Sequence, residues 1–414
     1  MIGGHDIAAE PFLGQAPCVH LVRDAPAVTQ APALPRFSAA RYWEVDALRG
    51  LMLVLMTVTH LPSRLTDPLG QPFGFVSAAE GFVLLSAFMA GLVYSRTAHR
   101  QGVVAMRRAF WRRALKVYLA QAATLLFLFT IIAAVGLRID QPAVKDLMSY
   151  YLAQPHQGLT FGLLLVYEPA LLDILPMYIF FMLLSPWVLA LALRHGWLGV
   201  VLASTAVWAL AQFGLSEWLY EVVVRWTGLP VPFHEMGAFN AFAWQFLWFM
   251  GLWLGASRSA PGAQPIRLPV WLLLAAAAIA LYGLYWRHHG LHGQAPFGAN
   301  DHLNLLFDKW QLGPLRIVNL VALGVLAIGF GPALARRLPR LHWLEAMGSA
   351  SLPVFCAHLV AVLLVLAFYG SDQMVRPWWG DALLLGGVFS ALYAVARATL
   401  WVDARKAAQL RARG

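Results

Sequence analysis

Apolar runs of about 18 to 24 residues recur from residue 45 to the C-terminal region, each close to the roughly 20 residues an α-helix needs to cross a ~30 Å hydrocarbon core. That recurrence constrains the chain more than any other feature, because a soluble core cannot bury so many long apolar segments at once. The composition agrees: 60% of the 414 residues are hydrophobic and only 12% are charged, which calls for lipid as solvent.

The candidate spans are 47–62, 75–94, 115–137, 171–193, 197–213, 239–256, 269–286, 315–335, 347–369 and 382–401. They predict an all-α, polytopic integral membrane bundle of about ten transmembrane helices. The first run is short and lies beside charge, as suits a helix partly buried inside the bundle. Residues 1–40, with charges, several prolines and no apolar core of signal-peptide length, read as a flexible cytoplasmic tail. Residues 41–403 then form the transmembrane domain and 404–414 a basic cytoplasmic tail.

Lys and Arg accumulate on the cytoplasmic side of short loops. Arg96, Arg100, Arg107, Arg108, Arg112, Arg113 and Lys116 lie between the second and third runs, and the spacing of Arg108, Arg112 and Lys116 suits a basic face on an interfacial helix. This segment is expected inside, and with it both termini. The longer segments 138–170, 214–238 and 287–314 then face outward as a structured vestibule. The formal charge of +10 is spread over these short connections, so it reports topology and gives no reason to expect nucleic acid. Cys18 and Cys356 lack metal-site spacing and any reason to pair, and no metal is expected.

An ionisable side chain inside a span costs about 2.5 to 3.5 kcal/mol at the helix centre, so each should be paired, interfacial or functional. His60, Glu80, Asp173, Asn240 with Gln245, and Lys309 with Arg316 all fall at the outer level of their segments. An imidazole can take a proton from a hydroxyl, and a neighbouring carboxylate can orient it; His60 and Glu80 are the expected catalytic pair. Arg49, eleven residues before His60 and so ~16 Å away along a helix, is placed to hold phosphates or a carboxylate of a donor entering from the cytoplasm. The alternatives for Arg49 are a snorkelling arginine and a pair with Asp46 or Glu44. Lys309 and Arg316 present two cations to an acidic acyl group or a glycan, or pair with Asp173, Asp301 or Asp308. His358 reads as a supporting group bonded to a neighbouring helix. Asn240, Trp244 and Gln245 suit a sugar-binding platform or an interfacial aromatic belt. Ser86, Gly91 and Asn319 read as helix-packing positions. No G-x-S-x-G elbow, Walker motif or H-E-x-x-H is present.

Several of these segments resemble the OpgC family of inner-membrane proteins, within the wider membrane acyltransferase-3 group. They are Glu44-Val45-Asp46-Ala47-Leu48-Arg49-Gly50 running on to His60, Phe73-Gly74-Phe75-Val76-Ser77-Ala78-Ala79-Glu80-Gly81-Phe82 with Ser86, Asp173-Ile174-Leu175-Pro176-Met177-Tyr178, Asn240-Ala241-Phe242-Ala243-Trp244-Gln245, the 309–316 stretch, and Ser351-Leu352-Pro353-Val354-Phe355-Cys356-Ala357-His358. The likeness covers about residues 41 to 400, with Ala87 standing where glycine is expected. It implies that Arg49 and His60 are essential. It also implies an O-acyltransferase that moves succinyl or acetyl from cytoplasmic acyl-CoA to a hydroxyl of an osmoregulated periplasmic glucan, either directly or through an acyl-enzyme. Acyl-CoA is then a co-substrate with no tightly bound cofactor. The glucan, membrane lipid and glucan-synthesis proteins are the candidate partners, in a bacterial inner membrane. A transporter or flippase for a glycan or anionic metabolite is the alternative, since charges at membrane depth also mark transport paths.

Overall fold

The structure, a computed structural model, describes residues 42–259, 266–289, 297–372 and 376–413. The predicted cytoplasmic tail of residues 1–40 and Cys18 lie outside the described residues. All regular structure within them is helical. In chain order the helices are α1 (Trp43–His60), α2 (Thr66–Gly70), α3 (Ala78–Gln101), α4 (Val103–Phe127), a π-helical turn (Leu128–Ile132) and α5 (Ala133–Ile139). Short helices α6 (Pro142–Leu147), α7 (Ser149–Ala153) and α8 (Pro155–Leu163) follow, then α9 (Ile174–His195), α10 (Leu198–Ala211) and α11 (Leu215–Thr227). The remainder are α12 (Ala241–Ser259), α13 (Val270–His289), α14 (Asp301–Phe307), α15 (Pro314–Arg337), α16 (His342–Ser349), α17 (Ser351–Tyr369) and α18 (Trp378–Arg413).

Each of the ten sequence runs falls on a helix, but not every helix qualifies as a span by itself. Among the described residues seven are long and apolar enough to cross a membrane: α3, the continuous α4–α5 segment, α9, α13, α15, α17 and α18. An eighth crossing arises if α10 and α11, bent by 78° at their junction, act as one. Helix α1 carries Glu44, Asp46 and Arg49 within its 18 residues, and α12 is diluted by Gln245, Arg258 and three tryptophans. Both depend on neighbouring protein to accept their polar groups.

The connections differ from the expected loops. The basic stretch is helical almost throughout: α3 runs on to Gln101, Gly102 turns the chain at φ +87°, and α4 begins at once. The uninterrupted segment Val103–Ile139 is 37 residues long. At 1.5 Å per residue it outruns a ~30 Å core by several turns, so Arg107 to Lys116 sit on a helical extension. The predicted C-terminal tail is likewise the last turns of α18. Segment 138–170 folds as α6 to α8 over its own small core of Leu125, Phe129, Val144, Met148, Tyr167 and Leu363.

Close helix contacts set the frame. Helix α3 packs along α12, and α1 along α16. A Cβ on Gly255 would collide with the Phe88 carbonyl, one on Gly91 with the Leu252 carbonyl, and one on Gly348 with the Asp46 carbonyl. Small residues admit this backbone approach, which bears out Gly91 as a packing residue. Asn319 also joins segments, accepting from the Phe75 N–H at 3.0 Å. Helices α13, α15 and α18 leave most side chains unburied by protein, as lipid-facing helices do.

Candidate active site

The last turn of α1, the start of α3, the entry to α9, the 238–239 strap and the 307–316 segment surround a cavity of about 830 Å³. His60, Asp173, Lys309 and Arg316 line it. The sequence placed these four at one level, and the fold brings them to one space. Its walls are aromatic, with Phe239, Trp286, Phe307 and Trp310. Asp67, Arg287 and Asp308 also face it, and the sequence reading had not singled them out as site residues.

Glu80 does not take the part expected of it. It is the fourth residue of Ser77-Ala78-Ala79-Glu80, a capping box that opens α3. Its Oε2 accepts from the Ser77 backbone N–H at 3.0 Å and from the Ser77 hydroxyl. Its Oε1 accepts from Arg316 Nε at 2.8 Å and Nη2 at 2.5 Å. Arg316 Nη1 donates to the Phe307 carbonyl at 3.2 Å. Both oxygens and all three guanidinium nitrogens are engaged, in a pair that is almost wholly buried. The carboxylate is thereby committed to Arg316, whereas the reading from sequence gave it to His60. The S-x-x-E pattern was the available signal.

His60 instead meets His358: Nδ1 of the first lies 3.1 Å from Nε2 of the second. His358 is fully buried on α17, and its Nδ1 lies 2.8 Å from the Phe355 carbonyl oxygen. This agrees with the expected role of His358 as a group bonded to a neighbouring helix.

Lys309 contrasts with Arg316. It makes no ion pair among the described residues, and its ammonium sits 4.4 Å from the centre of the Trp310 ring and 5.7 Å from that of Phe239, the geometry of cation–π attraction. Burial pulls its pKa below the ordinary lysine value, opposed by the nearby charges of Glu80 and Asp173. Asp173, at the entry to α9, is pushed up by burial and held back by the Ala238 N–H, which donates to Oδ2 at 3.2 Å.

The 308–313 loop that carries Lys309 is fixed by side chains expected to bind sugar. Trp244 Nε1 donates to the Trp310 carbonyl at 3.1 Å, and Asn240 Nδ2 donates to Gln311 Oε1 at 2.6 Å. Trp208 Nε1 holds the Leu312 carbonyl at 3.0 Å, where Leu312 adopts φ +49°, a left-handed conformation costly for a branched residue. Asn240 also caps α12 through its Oδ1. Gln245 grips α10, accepting from the Ser204 hydroxyl at 2.7 Å and donating to the Ser204 carbonyl at 2.8 Å. None of the three lines the cavity, and Trp244 has no exposed surface. They support the site from behind.

Arg49 lies apart, toward the other end of α1. Its Nη2 donates to Ser351 Oγ at 2.5 Å and its Nη1 is 3.7 Å from Asp46 Oδ1. Nε has no hydrogen-bond partner among the described residues. Among the described residues no group of three or more His, Cys, Asp and Glu is arranged to hold a metal ion.

These features define an all-helical membrane protein with a polar, aromatic-walled cavity among its helices. The chain belongs to the OpgC family: residues 41–404 match the family described as OpgC protein. No curated protein and no solved structure matches it. Family membership gives it an acyltransferase-like role in glucan modification.

Proposed function

We propose that the protein is an O-acyltransferase of the bacterial inner membrane that moves an acyl group, succinyl by preference, from cytoplasmic acyl-CoA to a hydroxyl of a periplasmic glucan. The observation that carries this reading is the 830 Å³ cavity, which sets an imidazole, an ammonium without an ion-pair partner and aromatic faces around one space. Aromatic faces suit the apolar faces of sugar rings, the imidazole suits a hydroxyl proton, and the ammonium suits an anionic group. In the proposed reaction His60 accepts the hydroxyl proton as the oxygen attacks the thioester carbonyl. The C–O bond forms, the C–S bond breaks, and the proton passes to the departing thiolate. Lys309 attracts the developing oxyanion or the far carboxylate of a dicarboxylic acyl group. Glu80 holds Arg316 in place, and Arg49 receives the donor from the other side.

Ten crossings follow if α1, the bent α10–α11 pair and α12 join the seven self-sufficient helices. An even number puts both termini on one side, and the basic extension of α3 and α4 makes that side cytoplasmic. The experiment is transfer from labelled succinyl-CoA or acetyl-CoA, supplied on the side of the basic extension, to candidate glucans on the other side of proteoliposomes holding the purified protein. Label in the glucan supports the reading and names the donor. No label with any donor, from folded and correctly oriented protein, removes it in favour of transport.

A further inference from the structure

The geometry points to His358 as a positioning residue that fixes the tautomer of His60 and makes Nε2 of His60 the nitrogen that accepts the substrate proton. This rests on the reading of His60 as the base and adds which of its atoms acts and why.

One chain of hydrogen bonds, from Phe355 through His358 to His60, fixes where the protons sit. A carbonyl oxygen only accepts, so the 2.8 Å contact from Phe355 O to His358 Nδ1 requires the hydrogen to sit on that nitrogen. A neutral His358 then has its lone pair on Nε2. The 3.1 Å contact to His60 Nδ1 is therefore donated by His60. With its hydrogen on Nδ1, neutral His60 carries its lone pair on Nε2. No residue among those described hydrogen-bonds to that nitrogen, and His60 lines the cavity.

Ring geometry agrees. The two planes are 20° apart and the centroids 5.4 Å apart, which is near the 3.1 Å nitrogen separation plus two ring radii. The imidazoles meet edge to edge, so the N–H of one points along the lone pair of the other.

The alternative is a charged His358 donating to His60. It would place an imidazolium on a fully buried side chain with no carboxylate bonded to it, an arrangement that desolvation disfavours. The ionisable groups around the pair are Lys309 and, lining the same cavity, Asp67, Asp173, Arg287, Asp308 and Arg316. The carboxylate of Glu80 is saturated by Arg316 and Ser77. An orienting group that stays neutral holds the base in register without trapping the proton as a carboxylate partner would. His60 Nε2 can take the hydroxyl proton and return it to the thiolate, while no proton moves along the pair.

The test combines a spectrum and two variants. Nitrogen-15 NMR of the full-length protein in nanodiscs, labelled at histidine and assigned by loss of the His60→Ala signal, should show His60 protonated at Nδ1 and bare at Nε2. His358→Phe keeps a ring but has no acceptor. It should mix the His60 tautomers and lower kcat by about 10²-fold with little change in KM, in line with the loss of an orienting partner in general-base catalysis. His358→Gln, whose amide oxygen can accept from His60 Nδ1–H, should recover at least a tenth of wild-type kcat. A His60 protonated at Nε2 in the wild-type protein, or full kcat in His358→Phe, overturns the assignment. Full activity in His60→Ala would instead overturn the role of the base, and the two failures are thereby distinct.

Discussion

Two neighbouring polar clusters, one wholly buried and one half-buried at a cavity wall, answer to opposite rules. In the Ser77–Glu80–Arg316 joint every oxygen of the carboxylate and every nitrogen of the guanidinium has a partner. Around His60 and Lys309 the accounting is incomplete: an imidazole nitrogen and an ammonium face a cavity, bonded on one side to a second histidine and resting on aromatic rings, with no carboxylate of the described residues in ion-pair contact with either. A charge half withdrawn from water and left without an ion-pair partner is costly, so a fold retains that condition where a ligand completes it. Saturation marks the structural cluster and incompleteness the reactive one, although both are equally conspicuous as charges in apolar sequence.

His60 belongs to the incomplete cluster, where activity and stability should part most widely. Replacing it with alanine should reduce acyl transfer by 10³-fold or more, about the contribution of a positioned general base, and shift thermal unfolding in detergent by no more than the loss of its one bond to His358 would, about 1 kcal/mol. A large loss of melting temperature would put His60 in the saturated class and sink the distinction.

Glu80→Ala should do the reverse, lowering stability by about 3–5 kcal/mol because it strands the buried Arg316 guanidinium. The sharper version is the double variant Glu80→Leu with Arg316→Met, which removes both charges. It should regain most of the loss and leave about 1 kcal/mol from the missing helix cap. Denaturant or thermal unfolding checks both, and a double variant no more stable than the single one would show that the pair does more than neutralise itself.

That difference also explains what the sequence could disclose. Apolar length reveals spans, so α3, α9 and α17 were legible; α1 was legible only with its charges noted, and the bend between α10 and α11 was not. Charge at depth reveals candidates, and His60, Asp173, Lys309 and Arg316 do converge. Pairing is another matter, because His60 and His358 are 298 residues apart in the chain and Glu80 and Arg316 are 236 apart, and hydropathy carries no record of which helices touch. Glu80 was assigned to the wrong neighbour for that reason, although the Ser77 capping box was local and readable. Likewise Trp244 looked like a sugar platform because aromatic residues recur around it, whereas its indole faces the back of the Lys309 loop.

Lys309 tests the incomplete side more finely. Lys309→Met should raise KM for an anionic acyl donor by about 10- to 100-fold, the range of one lost charge-assisted hydrogen bond, with a much smaller effect on a neutral acyl group. The pH dependence has a definite sign. A lysine held below its ordinary pKa by burial loses its charge at a lower pH than a free lysine, so tight donor binding is present on the acidic side of that pKa and lost as pH rises through it. Lys309→Arg should keep the charge and extend binding to higher pH. An alkaline limb in KM that is identical in the two proteins would assign it to another group.

The smallest effect should come from the support behind that lysine. Trp244→Phe keeps the edge-on contact with Phe239, whose ring centre lies 4.8 Å away, and deletes the bond to the Trp310 carbonyl. Its loss should cost about 1 kcal/mol. Because that bond fixes the loop rather than a helix, the loss should appear less in global unfolding than in faster hydrogen exchange across residues 308–313 and a several-fold rise in KM for the anionic donor. If exchange quickens while KM stays level, the loop can loosen without moving Lys309, and Trp310 with Phe239 would suffice to hold the ammonium. If neither changes, the bonds from Asn240 to Gln311 and from Trp208 to Leu312 already determine the loop, and Trp244 is packing alone.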